Sequence, residues 1–266
     1  QSCVVNPSGQ LVALLKAFKE DIKIVDLANC KVVEHTKLIE EEEIFSALSL
    51  GLKDYFKKTK YKKAVLGLSG GIDSALTAVI AQSALGRENV LGISMPSIYS
   101  SKHSIEDAKI LAKNLGIDFQ IIPIKKINDQ ILNDLSPIFN GSEFGIAEEN
   151  LQARIRGNIL MAVANKCGAL LLNTGNKTET ALGYCTMYGD MAGAIAVISD
   201  LNKTQVYSVS KWINNYFSND LIPQNTIIKD PSAELRPNQV DPFDYDLISV
   251  IVDRIISEPH NIHNLQ

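Results

Sequence analysis

An excess of basic residues, paired cysteines and long apolar runs are all missing from this 266-residue chain. Its 26 lysines and arginines face 30 aspartates and glutamates, a net charge of -4 at pH 7. It therefore lacks the broad positive footprint of a nucleic-acid binder. No apolar run reaches the roughly 20 residues that a membrane-spanning helix needs. The four cysteines, Cys3, Cys30, Cys167 and Cys185, form no C-x-x-C pair. That argues against a disulfide framework or a zinc ribbon, and for a reducing, cytoplasmic setting. His35, His103, His260 and His263 fall in polar stretches without the spacing of metal ligands. There is no internal repeat and no low-complexity tract.

What is present is an ordinary globular composition, 45% hydrophobic and 21% charged. The length suits one large domain, or one domain plus a fragment. Three short apolar runs, at 3–5, 11–15 and 22–27, read as a small strand meander. Alone it buries too little to stand as a fold. Residues 29–40 read as a linker. A helix over 40–57 opens with four glutamates, Glu40 to Glu43, which suit the positive end of a helix dipole. From residue 63 strands and helices alternate. Strands are expected at 64–68, 90–95, 119–124, 169–173 and 195–198. Helices are expected at 74–85, 104–115, 148–166, 203–217 and 245–256. This alternation predicts an α/β fold, a doubly wound parallel sheet with helices on both faces. Ligands in such sheets bind at the carboxyl ends of the strands.

One loop lies at such an end. Ser69-Gly70-Gly71-Ile72-Asp73-Ser74 follows a strand and opens a helix. The glycines allow a tight turn that brings backbone N–H groups to an anion, and the helix start adds positive potential. Two readings fit: a phosphate cradle, or a turn in which Asp73 or Ser74 caps the helix. The mononucleotide P-loop is excluded, because no lysine follows Gly71. A carboxylate facing phosphates is repulsive unless a cation lies between, so Asp73 in a phosphate cradle implies Mg²⁺.

The S-G-G-x-D-S string resembles the pyrophosphate loop (PP-loop) of the ATP pyrophosphatases, whose fold is adenine nucleotide alpha hydrolase-like. Three further stretches, EENLQARIRGN (148–158), LLNTGNKTETALGYCTMYGDMAGAIAVISDLNKTQVY (171–207) and PSAELRPNQ (231–239), closely resemble the NAD synthetases. The likeness covers roughly residues 40–256. Residues 2–28 resemble the last strands of the nitrilase-like glutaminase domain of glutamine-dependent NAD synthetases. On this resemblance, 1–28 is a glutaminase remnant, 29–40 a linker and 41–266 the synthetase domain. The glutaminase body and the family's basic C-terminal segment are both missing, so the chain is expected to be a piece of a longer enzyme.

The resemblance implies a ligase that amidates deamido-NAD⁺ to NAD⁺ through an adenylate. ATP would be split to AMP and pyrophosphate, and glutamine hydrolysis would supply ammonia in the full-length enzyme. It places ATP on Gly67, Leu68, Ser69, Gly70, Gly71, Ile72, Asp73 and Ser74, with Met95, Thr174, Lys203 and Ser232. Asp73 and Glu179 would hold Mg²⁺. Asn150, Arg154 and Glu179 would bind deamido-NAD⁺, and Asp190 would guide ammonia. Asn150 and Arg154 share a helix face, whereas Arg156 is expected to point elsewhere. Ser94, Met95 and Ser100 would seat the adenosine. Cys185 is expected to be a buried structural thiol. A homodimer or higher homo-oligomer is implied, with neither nucleic acid nor membrane as partner. The alternatives are another PP-loop ligase, a tRNA-modifying enzyme, or an inactive nucleotide-binding fragment.

Overall fold

A computed structural model of the chain describes residues 1–35, 37–217 and 220–257. His260, His263 and the end of the expected 41–266 domain lie outside them. The chain opens with a two-stranded antiparallel hairpin, β1 (Cys3–Val5) and β2 (Leu11–Leu14). The expected strand at 22–27 does not form: Ile22 and Ile24 are 95% and 97% exposed. A strand needs a neighbour to satisfy its backbone groups, and this run pairs with no described strand.

The body starts at α1 (Glu40–Thr59). Glu40 to Glu43 lie in its first turn and Lys57 and Lys58 in its last, as the dipole favours. Then follow β3 (Lys63–Gly67), α2 (Ile72–Leu85), β4 (Val90–Ser94), α3 (Lys102–Leu115), β5 (Asp118–Ile121) and α4 (Lys125–Phe139). The second half holds α5 (Ile146–Cys167), β6 (Ala169–Asn173), α6 (Lys177–Leu182), β7 (Ile195–Ala196), α7 (Lys203–Tyr216), α8 (Gln224–Ile228) and α9 (Tyr245–Ser257). The sequence reading did not foresee α4, α6 or α8. α6 and α8 are too short, at 6 and 5 residues, to show a period. α4 does carry one, in Ile127, Ile131, Leu135 and Ile138.

The five strands run in the order β5-β4-β3-β6-β7, and every pair is parallel. Alternation along β3 sorts its side chains between two cores. Ala64 and Leu66 join the cluster packed by α1, α2, α3 and α7. Val65 joins the opposite cluster, with Ile155 of α5 and partly buried Leu151, Ile159 and Leu160. The apolar stripe of α5 is thus spent on the sheet. α2 is sandwiched so fully that ten of its 14 residues are buried, which explains its alanine-rich, all-round apolar sequence.

The chain builds outward from β3 through β4 to β5, then returns to lay β6 and β7 on the other side. The order reverses between β3 and β6, so the loops leaving these two neighbours diverge and open a crevice at their carboxyl ends.

The loop after β3 is braced by a close approach. Gly70 adopts φ +83°, and a Cβ built there would stand 2.8 Å from Ser104 Cα on α3, and closer still to the Ser104 carbonyl oxygen. Gly70→Ala is expected to cost about 2–4 kcal/mol from left-handed strain and overpacking together. Urea unfolding of the two proteins checks this; equal midpoints would mean that α3 is free to move aside.

Candidate active site

The crevice is a cavity of about 530 Å³. On its floor lies the 67–74 loop. Leu68 N–H extends the strand pairing by donating to Ile93 O at 2.9 Å. Ser69 Oγ accepts from Gly71 N–H at 3.1 Å, and Ser74 Oγ donates to Gly71 O at 2.9 Å. The two serine hydroxyls stand 3.2 Å apart. They shape the loop from inside, while its residues, Gly70 excepted, line the cavity. Gly70 instead turns toward Ser104.

Three elements bring charge to one point. Asp73 comes from the first turn of α2, Glu179 from α6 and Lys203 from the first turn of α7. Lys203 Nζ lies 2.6 Å from Asp73 Oδ2 and 3.0 Å from Glu179 Oε1, with only 3% of its side chain exposed. The local sequence dictates this. Asn176 and Asn202 are N-caps that accept from Glu179 N–H and Gln205 N–H, and each begins a capping box. Asn176 also donates to Asp73 Oδ1 at 2.7 Å, so one cap fixes both carboxylates. From α9, Asp253 accepts from Lys177 Nζ at 2.8 Å and from Asn202 Nδ2 at 2.5 Å. The Tyr245 ring lies 5.2 Å below the Lys203 ammonium.

Burial pulls the Lys203 ammonium down, but the charges of Asp73 and Glu179 outweigh it and raise its pKa. Burial, with the charge of Asp73 second, pushes the Glu179 carboxyl up to about 7 against the pull of Lys203. Asp190 is also raised by desolvation, although its Oδ1 accepts from Thr186 N–H at 2.5 Å.

Two carboxylate oxygens converging on one cation are the hard donors that Mg²⁺ takes. Among the described residues no group of three or more acidic, histidine or cysteine side chains is placed to hold a metal. Asp73 and Glu179 therefore suit a cation whose shell is completed by phosphate oxygens and water.

Of the other expected residues, Met95, Thr174, Asp190, Ser94 and Ser100 line the cavity. Ser232 does too, with its hydroxyl donating to Gln239 O at 2.6 Å. Asn150 and Arg154 do not line it. They stand on α5 against the 183–194 loop, where Asn150 Oδ1 accepts from Thr186 Oγ1 at 2.8 Å and Arg154 Nε donates to Met187 O at 3.3 Å.

Arg156 points elsewhere than Asn150 and Arg154: it lines the cavity and its Nε donates to Met95 O at 3.0 Å. A helix turns 200° in two residues, and the cavity lies on that side of α5, beside Ala153, Gly157 and Leu160. Burial lowers Arg156 to about 10. One expectation needs correction: Cys185 is not a buried structural thiol but is half-buried and lines the cavity. Burial first, then Asp190 and Glu179, raise its thiol, which disfavours a thiolate nucleophile. The sequence reading also passed over Lys229, which lines the cavity three residues before Ser232. Its signal was a lone cation inside KDPSAE (229–234).

Comparison with known proteins gives a consistent picture. A family model described as NAD synthase matches residues 44–264. The glutamine-dependent NAD(+) synthetase of Synechocystis is 49% identical over 97% of this chain, and that of Thermotoga maritima 48% over 90%. The chain spans about half the length of these relatives, 47% and 48%. Among solved structures, a glutamine-dependent NAD+ synthetase from Acinetobacter baumannii in complex with ADP superposes with TM-score 0.79 at 38% identity, over 96% of this chain and 48% of that one. An NMN synthetase from Francisella tularensis gives 0.73 at 27% identity, over 84% and 89%.

Removing the Lys203 ammonium would leave two carboxylates facing each other. Lys203→Met is expected to lose about 3–5 kcal/mol at pH 8. With Lys203 present Glu179 already stands near 7 against an ordinary 4.5, and without the pull of the ammonium it is raised further. The folded variant therefore binds a proton that the unfolded chain does not, and its stability rises as pH falls from 8 to 5. Urea unfolding across that range measures the slope. A variant no less stable than the parent, with a flat profile, would mean that the three charges are not coupled.

Proposed function

The chain belongs to the NAD synthase family, and on that premise we propose that it is the synthetase portion of a glutamine-dependent NAD⁺ synthetase. Residues 41–266 form the synthetase domain, 29–40 a linker, and 1–28 the end of a glutaminase domain. The reaction is ATP-dependent amidation of deamido-NAD⁺. The observation that carries this reading is the glycine loop at the sheet's switch point, facing a carboxylate pair bridged by a buried lysine.

ATP lies along the cavity, with adenosine toward Ser94, Met95 and Ser100. Its phosphates lie on the 67–74 loop, where Thr174 and Ser232 add contacts. The nicotinate carboxylate attacks the α-phosphorus, and pyrophosphate leaves. Nucleophile and target are both anionic, so the protein works by positioning and by neutralising charge. Lys203 supplies a fixed positive charge between the two carboxylates. Asp73 and Glu179 would hold Mg²⁺, which would screen the phosphate oxygens. Ammonia then attacks the activated acyl carbon and AMP leaves, with the Asp190 carboxylate accepting the proton that ammonium sheds.

Asn150 and Arg154 bind deamido-NAD⁺ from outside the ATP cavity. Exposed Met187 and Tyr188 flank them, at 60% and 79% exposure. A second copy of the chain packing on this face would complete the dinucleotide site in a homodimer.

NAD⁺ formation with ATP, Mg²⁺, deamido-NAD⁺ and ammonium tests the reading. Equal yields of NAD⁺, AMP and pyrophosphate are expected. Nicotinate mononucleotide is the control substrate; a preference for it would move the chain to the chemistry named for the Francisella protein. Light scattering over a dilution series tests the dimer. Dissociation should weaken deamido-NAD⁺ binding while ATP binding holds, and a monomer binding both normally would refute the shared site.

A further inference from the structure

Three cations line the cavity among the described residues: Arg156, Lys203 and Lys229. Two are already engaged. Lys203 is bracketed by two carboxylates. Arg156 is tied by its Nε to Met95 O, beyond the end of β4, and lies in the field of Glu234 and Asp190. Six carboxylates share the same lining, those of Asp73, Glu179, Asp190, Asp230, Glu234 and Asp241. A polyanion entering such a cavity needs a cation whose charge is not already balanced.

Lys229 comes nearest to meeting that need, because its one ion pair, to Asp107, is long. Its side chain is 27% exposed, and Nζ donates to the neutral hydroxyl of Ser104 at 3.1 Å. The carboxylate nearest it, Asp107 Oδ2, is 3.8 Å away and already accepts from Asn225 Nδ2 at 2.6 Å. An ammonium has three protons to donate, and a hydroxyl satisfies one of them weakly. Burial lowers the Lys229 pKa and outweighs the pull of Asp107 and Glu234. An arriving phosphate would reverse that.

The position is also right. Ser104 is the residue on which Gly70 packs, so Lys229 rests one contact away from the turn of the glycine loop. Ser104 Oγ donates its own proton to Glu234 Oε1 at 2.7 Å. Lys229 can therefore swing off Ser104 without breaking that bond. Its departure frees a lone pair and gives up the long ion pair with Asp107.

The geometry points to Lys229 as the side chain that grips the pyrophosphate half of ATP, parked on Ser104 until the nucleotide arrives. The inference rests on the reading of this cavity as the ATP site of a synthetase. Lys229 is a binding residue for the leaving group: it moves no proton and forms no bond.

Calorimetric titration with Mg²⁺–pyrophosphate, Mg²⁺–ATP and AMP separates the possibilities. In Lys229→Met, affinity for pyrophosphate is expected to fall at least tenfold and that for ATP to follow, while AMP binding changes less than twofold. Under turnover, KM for ATP should rise while KM for deamido-NAD⁺ holds. Lys229→Arg should restore part of the pyrophosphate affinity. Ser104→Ala, which removes the parking hydroxyl together with its bond to Glu234, should keep it. Should Lys229→Met fail to fold, the Arg and Ala variants still decide: pyrophosphate binding lost equally in both would mean that the Lys229–Ser104 contact is structural. Parent-like pyrophosphate binding in Lys229→Met, or equal loss of AMP and pyrophosphate, would overturn the assignment. If the unaltered protein bound neither ATP nor pyrophosphate, the synthetase reading itself would fall, a result distinct from either.

Discussion

The structure is organised around one buried ammonium. Lys203 joins α2 to α6 through Asp73 and Glu179, and its own helix, α7, packs on the same face of the sheet. Each carboxylate would be costly so deep in the fold without a counter-charge, and the ammonium would be costly without them. Side chains 130 and 24 residues away therefore depend on this one. The asparagine caps Asn176 and Asn202 extend the arrangement into the backbone, so helix initiation and site electrostatics are settled by the same groups.

The layout also separates two kinds of work. The floor is held by the sheet: Leu68 continues the pairing of β3, and the 174–176 loop leaves its neighbour β6. The rim at 229–241 is held by side chains instead. Glu234 reaches Ser101 N–H and Ser104 Oγ, Gln152 Nε2 donates to Leu235 O, and Tyr184 meets Asp241. Glu234 and Asn238 sit at φ +49° and +51°, an unfavourable region for residues with a Cβ. The floor is rigid by backbone pairing, and the rim keeps its shape through replaceable contacts.

Much of this was legible from residue pattern alone. The alternation after residue 63 gave the parallel sheet, because β-period and helix-period stretches are distinguishable when each is long enough. Gly70 and Asp73 announced a special turn before any fold was known. What stayed hidden depended on neighbours rather than on neighbouring letters. Residues 22–27 have the composition of a strand, but no described strand pairs with them. The place of Arg156 in the cavity stayed hidden because a shared helix face says which residues go together, not which face meets the cavity. Lys229 drew no notice because a single lysine in a polar stretch is ordinary until Ser104 and Gly70 are seen beside it.

Asp253 carries a consequence for how the chain comes to be folded. It contacts Lys177 and Asn202 across 76 and 51 residues of intervening chain. Closing such loops costs entropy before the contacts repay it, so pairings of this kind form on the slow side of folding. The starts of α6 and α7 thus acquire their final support only when α9 docks. On the ribosome, the glycine loop emerges and can meet its strand neighbours early, whereas the charged centre opposite it waits for a helix synthesised last among the described elements. The cradle is local and early; its counter-charge is completed late.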